Sequence, residues 1–214
     1  MNNDVFESIS QRINREKTLE NRRIQEISNE LQRRCCLYEK EYGDSSANVN
    51  IALERRVAEQ FALENALWIP ANELTKLGEP GPSGNENDTY ISEGTIYKVN
   101  NLLNSRGSIL KLFQKILLHN LLFTETSYTF YGFTGFLGSS IMPIFSQNMV
   151  ISSTPPTQIE ISTYMAALGF DTTDKKGCYV NSMYKVWDVL PRNVLKDNEG
   201  DMFVIDAEIC TITK

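Results

Sequence analysis

The pattern of apolar and polar positions splits the chain into a helical first third and a mixed remainder. From Asp4 to about Tyr42 the sequence is charged, with Ile9, Ile13, Ile24, Ile27, Leu31 and Tyr38 recurring at a helical period on one face. "YGDSSAN" predicts a turn, and a second helix follows from about Asn48 to Leu67 with Ile51, Val57 and Phe61 apolar. Residues 1–67 are therefore expected to form a helical hairpin, an appendage that covers the main domain or pairs with a second copy of itself. Deleting residues 1–43 is expected to leave the rest folded. The doublets Arg22-Arg23, Arg33-Arg34 and Arg55-Arg56 each have Glu within a turn, which reads as a solvated face.

After Trp68 the pattern changes. "LGEPGPSGNENDTYIS" gathers Gly, Pro, Ser and Asn into one expected loop before the strand-like "TIYKV". The domain boundary is placed here, with residues 68–214 forming the second domain. Ser108 to Phe123, "SILKLFQKILLHNLLF", has apolar residues at helical spacing. Its His119, the one histidine, reads as a packing or helix-surface residue rather than a base. "SYTFYGFTGF" and "SIMPIFSQNMVI" are strand-like, rich in aromatic and β-branched residues. "PTQIEISTYMAALGF" predicts a helix opened near Pro156 and closed by Gly169, and two hairpins follow, turning at Asn181-Ser182 and at Asn198 to Gly200. The order strand, helix, strands, helix, strands is α+β in type.

Composition narrows the function. A chain of 214 residues suits one ordinary domain with an addition. Its 21 basic and 27 acidic side chains give a net charge of -6, which argues against nonspecific binding of nucleic acid. The start "MNNDVFESISQRINREK" lacks the apolar core of a secretory signal, and no apolar run reaches the length of a membrane span. Cys35 and Cys36 are adjacent while Cys178 and Cys210 lie far away, a spacing of neither metal ligands nor a disulfide framework. A reduced, cytoplasmic protein without a membrane partner is expected.

The candidate chemistry lies near the end of the chain, in "WDVLPRNVLKDNEGDMFVID". Asp188, Asn193 and Asp206 offer two carboxylates and an amide carbonyl, hard oxygen ligands of the kind that hold Mg²⁺ beside phosphate oxygens. Such a set suits phosphoryl transfer, where positioning and charge neutralisation carry most of the catalysis. Upstream, "PSGNENDTY" is a glycine-bearing turn and "IYKVNN" sets Lys98 among Ile96, Tyr97 and Val99. An ammonium in that apolar setting calls for an anionic partner such as phosphate.

Lys98 on a strand, Asp188 with Asn193 five residues later, and Asp206 after "FVI" resemble the strand lysine, catalytic loop and metal-binding aspartate of protein kinases and aminoglycoside phosphotransferases. "WDVLPRNVLKD" is similar to the D-x-x-P-x-N-V-L loop of small-molecule kinases. The nearest resemblance is to the kinase-like domain of polyvalent proteins from bacterial phages and conjugative elements, over approximately Trp68 to Glu208. It implies an ATP- and Mg-dependent phosphotransferase with a minimal protein-kinase-like fold, an antiparallel sheet with a long helix. Eight residues follow Asp206, so a short C-terminal lobe is expected.

In this resemblance Asp188 orients or deprotonates the acceptor hydroxyl, and Asn193 and Asp206 hold the metal. Lys98 contacts the α and β phosphates, and Gly84, Asn85 and Glu86 cover them. Arg192 lies near the transferred phosphate. No acidic residue occurs between Lys98 and Glu125, so Glu86 or Glu125 would substitute for the glutamate that the family sets on the long helix. The acceptor, protein or small molecule, is left open. The alternative is a catalytically inactive kinase-like module that binds a nucleotide or a protein partner.

Overall fold

The computed structural model describes residues 3–42, 47–152 and 154–212, and their side chains except at 3–18, 41–42 and 47–50. Ile9, Ile13 and the turn residues 43–46 therefore lie outside the described side chains or residues. Contacts divide the chain into two compact units. The first is Met1–Leu117 with Tyr128–Gln147, and the second is Leu118–Ser127 with Asn148–Lys214. The architecture is mixed helix and antiparallel sheet.

The first unit opens with α1 (Asn3–Tyr42) and α2 (Ala47–Glu64). Arg34 donates to Glu64 at 2.6 Å and Tyr38 to Gln60 at 3.3 Å, a reversed numbering that sets the two helices antiparallel. Ile24 and Leu31 have no exposed surface, and with Val57 and Ala58 they join one core with residues of the sheet and the next helix. The segment expected to be an appendage thus supplies core side chains. The boundary placed after residue 67 concerns independent folding, and substitution in α1 tests it.

The strands of this unit are β1 (Glu79–Pro80), β2 (Asn87–Ser92), β3 (Thr95–Asn100), β4 (Thr129–Phe136) and β5 (Ser140–Asn148), in the order β1-β2-β3-β5-β4. β2 lies inside the stretch read as loop. Its Asn, Asp and Ser hide a strand because what fixes it lies outside its own composition. Glu93 and Gly94, both at positive φ (45° and 79°), make a tight turn that folds β2 onto β3 with Tyr90 opposite Tyr97. Helix α3 (Ile109–Leu122) buries Ile109, Leu112, Phe113 and Ile116, one helical face. Phe113 meets Phe130 and Phe145 edge-on at centroid distances of 5.3 and 5.7 Å.

The second unit holds α4 (Gln158–Ala167), then β6 (Asp171–Thr172), β7 (Tyr179–Val180), β8 (Tyr184–Trp187), β9 (Val194–Lys196), β10 (Met202–Val204) and β11 (Glu208–Thr211). A four-stranded sheet runs β11-β8-β7-β6, and β9 with β10 forms a separate ribbon. The turns expected at Asn181-Ser182 and Asn198–Gly200 are present. Asn181 Oδ1 accepts from the amides of Met183 and Tyr184 at 2.9 and 2.8 Å, a side chain imitating backbone. β6 and β11 carry too short a pattern to be read alone. Thr157 and Glu160 close a capping box at the start of α4. Buried Tyr179 is satisfied by Gln158 at 2.9 Å and Ser162 at 3.0 Å.

All four cysteines are free. Burial, and then the charge of Glu54, pushes the Cys35 thiol up to about 11, so it is a poor nucleophile. Among the described residues no helix is long and apolar enough to cross a membrane.

Candidate functional site

In the second unit the segment between β8 and β9 closes on itself. Asp188 follows β8 with φ at 62°, a left-handed conformation that aspartate tolerates when its side chain bonds locally. The Asp188 carbonyl accepts from the Leu190 amide at 3.0 Å and from Asn193 Nδ2 at 2.8 Å, while the Leu190 carbonyl accepts from the Asn193 amide at 2.8 Å. Val189 is buried, and its amide donates to the Gly177 carbonyl at 3.1 Å, anchoring the loop to the neighbouring turn.

That closure orients the carboxylate. Asp188 Oδ2 accepts from Asn193 Nδ2 at 2.9 Å, and Oδ1 accepts from Arg192. An ionised carboxylate has about four lone-pair sites, so these bonds fix its direction and leave it capacity to accept a hydroxyl proton. Because Asn193 turns Nδ2 toward Asp188, Oδ1 is the atom of its amide that could face a cation. The ribbon then brings in the other strand. Val194 pairs with Val204, the Ile205 amide donates to the Asn193 carbonyl at 2.9 Å, and Asp206 is the next residue. The structure thus brings Asp188, Arg192 and Asn193 into contact and sets Asp206 one residue past a backbone bond to Asn193. An amide oxygen and a carboxylate oxygen fit a hard divalent cation. Among the described residues no group of three or more His, Cys, Asp and Glu could hold a metal ion, so an ion here would rest on the asparagine oxygen and the single carboxylate of Asp206 together with further oxygens.

In the first unit, residues 81–86 form the turn between β1 and β2. Pro82, Ser83, Gly84 and Asn85 are exposed and Glu86 is buried. The turn is tied down behind: Asn101 Nδ2 donates to the Asn85 carbonyl at 2.8 Å and the Asn101 amide to the Glu86 carbonyl at 2.9 Å. Gly84 spends its own amide on the Asn87 carbonyl at 2.9 Å, and a Cβ there would meet nothing within 4 Å. Its surroundings are open surface, so glycine is not demanded sterically. Gly78 is the demanding position, with φ at 146° and the Ile91 carbonyl where a Cβ would go.

Lys98 is half-buried on β3. Its Nζ donates to the Tyr128 hydroxyl at 3.2 Å and lies 4.9 Å from the centre of that ring, a cation-π contact. Both acids expected to substitute for a helix glutamate are engaged. Glu86 pairs with Lys115 of α3 at 3.4 Å. Glu125 belongs to the second unit, where it accepts from Thr124 at 3.2 Å and, after burial, contributes to raising the Tyr164 phenol. His119 is buried, its Nε2 within 3.1 Å of the Thr126 carbonyl, a packing residue.

Two features escaped the sequence reading. Lys115 is one. The other is the start of α3, where buried Glu54 of α2 accepts from the amides of Ile109 and Leu110 (2.9 Å for the latter) and from Ser108 Oγ at 3.0 Å. Beside it Arg55 Nε donates to the Gly107 carbonyl at 3.0 Å. A carboxylate on the orphan amides of a helix start satisfies donors and favours the dipole. A signal existed: Glu54 stands on the same helical face as Val57, Ala58 and Phe61, an acid inside an apolar stripe.

A family model described as a serine/threonine/tyrosine kinase found in polyvalent proteins matches residues 52–214. The match begins within α2 and takes in Glu54 and Arg55. No curated protein and no solved structure matches the sequence.

Proposed function

The chain belongs to the serine/threonine/tyrosine kinases found in polyvalent proteins, and from that premise we propose that it transfers the γ-phosphoryl group of ATP to a hydroxyl acceptor. The observation that carries this is the self-closed loop in which Asn193 and Arg192 aim the Asp188 carboxylate. Asp188 takes the proton of the acceptor hydroxyl, whose oxygen forms the new bond to phosphorus as the bridging oxygen of ATP leaves with ADP. Asn193 Oδ1 and Asp206 would hold Mg²⁺, which when bound neutralises phosphate charge. Lys98 and the backbone of the turn Gly84–Asn85–Glu86 would take the nucleotide phosphates, with the Glu86 carboxylate turned to Lys115. The family's description favours a serine, threonine or tyrosine hydroxyl as acceptor.

The test is a thermal-shift titration with ATP, with and without Mg²⁺. Mg-ATP is expected to raise the melting temperature more than ATP with chelator does. Asp206→Asn is expected to weaken Mg-ATP binding, and Asp188→Asn to keep binding while removing transfer. Equal shifts with and without metal would remove the metal assignment. Loss of nucleotide binding in Asp188→Asn would show its role to be wrong. A second reading, an inactive module that binds nucleotide or a protein, is favoured by one observation: the acid near the phosphate turn, Glu86, is engaged with Lys115. Mg-ATP binding without transfer to any hydroxyl tried would put that reading ahead.

A further inference from the structure

We propose that Lys115 is a positioning residue that holds and neutralises the Glu86 carboxylate, so that the backbone of the turn Gly84–Asn85–Glu86 can accept the phosphates of a bound nucleotide; this rests on the phosphotransferase reading above. The Lys115 and Glu86 side chains are 13% and 10% exposed, with Nζ and Oε2 3.4 Å apart. Burying two charges is costly, and an apolar pair of the same size often stabilises a fold as well. An ion pair retained at that depth is therefore weak evidence for stability and calls for another use.

The surroundings supply one. Glu86 ends the exposed turn, and its backbone is pinned from behind by Asn101, as is that of Asn85. A bare carboxylate at that point would repel phosphate. Lys115 cancels it, and does so from a helix whose start is itself fixed by Glu54 and Arg55. Lys98 rests on Tyr128 and brings a second positive charge in the same unit. The helix carries the lysine and the turn carries the acid.

The electrostatic role has a signature that loose packing would not share, because the penalty for losing Lys115 must grow with the number of phosphates. Affinities of wild type, Lys115→Met, Lys115→Arg and Glu86→Gln/Lys115→Met for Mg-ATP, Mg-ADP and adenosine are measured by calorimetry. Lys115→Met is expected to weaken ATP about tenfold, the scale of one uncompensated charge a few ångströms away, with ADP weakened less and adenosine unchanged. Lys115→Arg keeps wild-type affinities, and the double variant, which removes the repelling acid as well, recovers most of the loss. If Lys115→Met does not fold, Lys115→Gln takes its place with the same expectation. Equal loss for all three ligands, or no loss for ATP, overturns the role while leaving the phosphotransferase reading standing. A wild type that binds none of the three overturns both.

Discussion

The Asp188–Asn193 loop and helix α3 are held in opposite ways. The loop's side-chain bonds join residues four or five apart, Arg192 to Asp188 and Asn193 to Asp188. α3 is held at its start by Glu54 from 55 residues before Ile109, and in its middle by Glu86 from 29 residues before Lys115. A loop whose side-chain bonds are local can be read in sequence, and changing those side chains leaves its backbone anchors to Gly177 and Ile205 in place. A remotely held helix transmits what happens to its supports.

The largest expected effect tests whether the supports reach back into α1. Leu31→Ala should destabilise the protein by about 3 kcal/mol, the cost of a cavity at a fully buried leucine, measured by denaturant unfolding. Stability within error of wild type would favour the appendage reading and the boundary after residue 67, and would confine the comparison to α2 and α3.

A smaller pair of effects sets the two regions side by side. Glu54→Gln leaves the amides of Ile109 and Leu110 to share one weaker acceptor and turns an NH₂ among donors, so it should cost about 2 kcal/mol. Asn193→Ala, losing one donation to the Asp188 carbonyl and one to its carboxylate at a half-exposed loop, should cost about 1 kcal/mol while removing Mg-dependence of ATP binding. Equal unfolding costs would erase the distinction between local and remote support.

The same distinction explains what was legible. The periodicity of Ser108–Phe123 marked α3 because a helix repeats its own rule every turn, and Asn181-Ser182 and Asn198–Gly200 marked hairpins because turn chemistry is local. α+β order followed from these. β2 was hidden because its partner and its turn, not its composition, make it a strand. Asp188 and Asn193 could be paired on paper because five residues separate them, though their roles rest on the family premise. The partners of Lys98 and Glu86 could not: Tyr128 lies 30 residues on and Lys115 29 residues on, distances over which only the fold decides what meets. A stand-in glutamate for Lys98 was expected because the long helix carries no acid, and the lysine that this helix sets against Glu86 is a pairing only the fold shows.

The smallest effect lies where the two kinds of support meet, at the start of α4. Glu160 accepts locally from the Thr157 amide at 2.7 Å and remotely from Lys196 at 2.8 Å, 36 residues on. The Lys196 bond first, and the Thr157 backbone bond second, lower this carboxyl from 4.5 to about 2. A pKa depressed by folding stabilises above the unfolded value and loses that contribution as pH falls toward the folded one. The cap should therefore contribute fully above about pH 4.5 and fade down to about pH 2, modestly, because the side chain is exposed to solvent. If the remote lysine dominates, the Glu160 carboxyl signal in an NMR titration of Lys196→Met should move most of the way back toward 4.5, and the melting temperatures of variant and wild type should converge as the pH approaches 2. If Thr157 dominates, the titration in Lys196→Met stays near 2 and Thr157→Ala moves it instead, which would place this cap with the locally closed Asp188 loop rather than with α3.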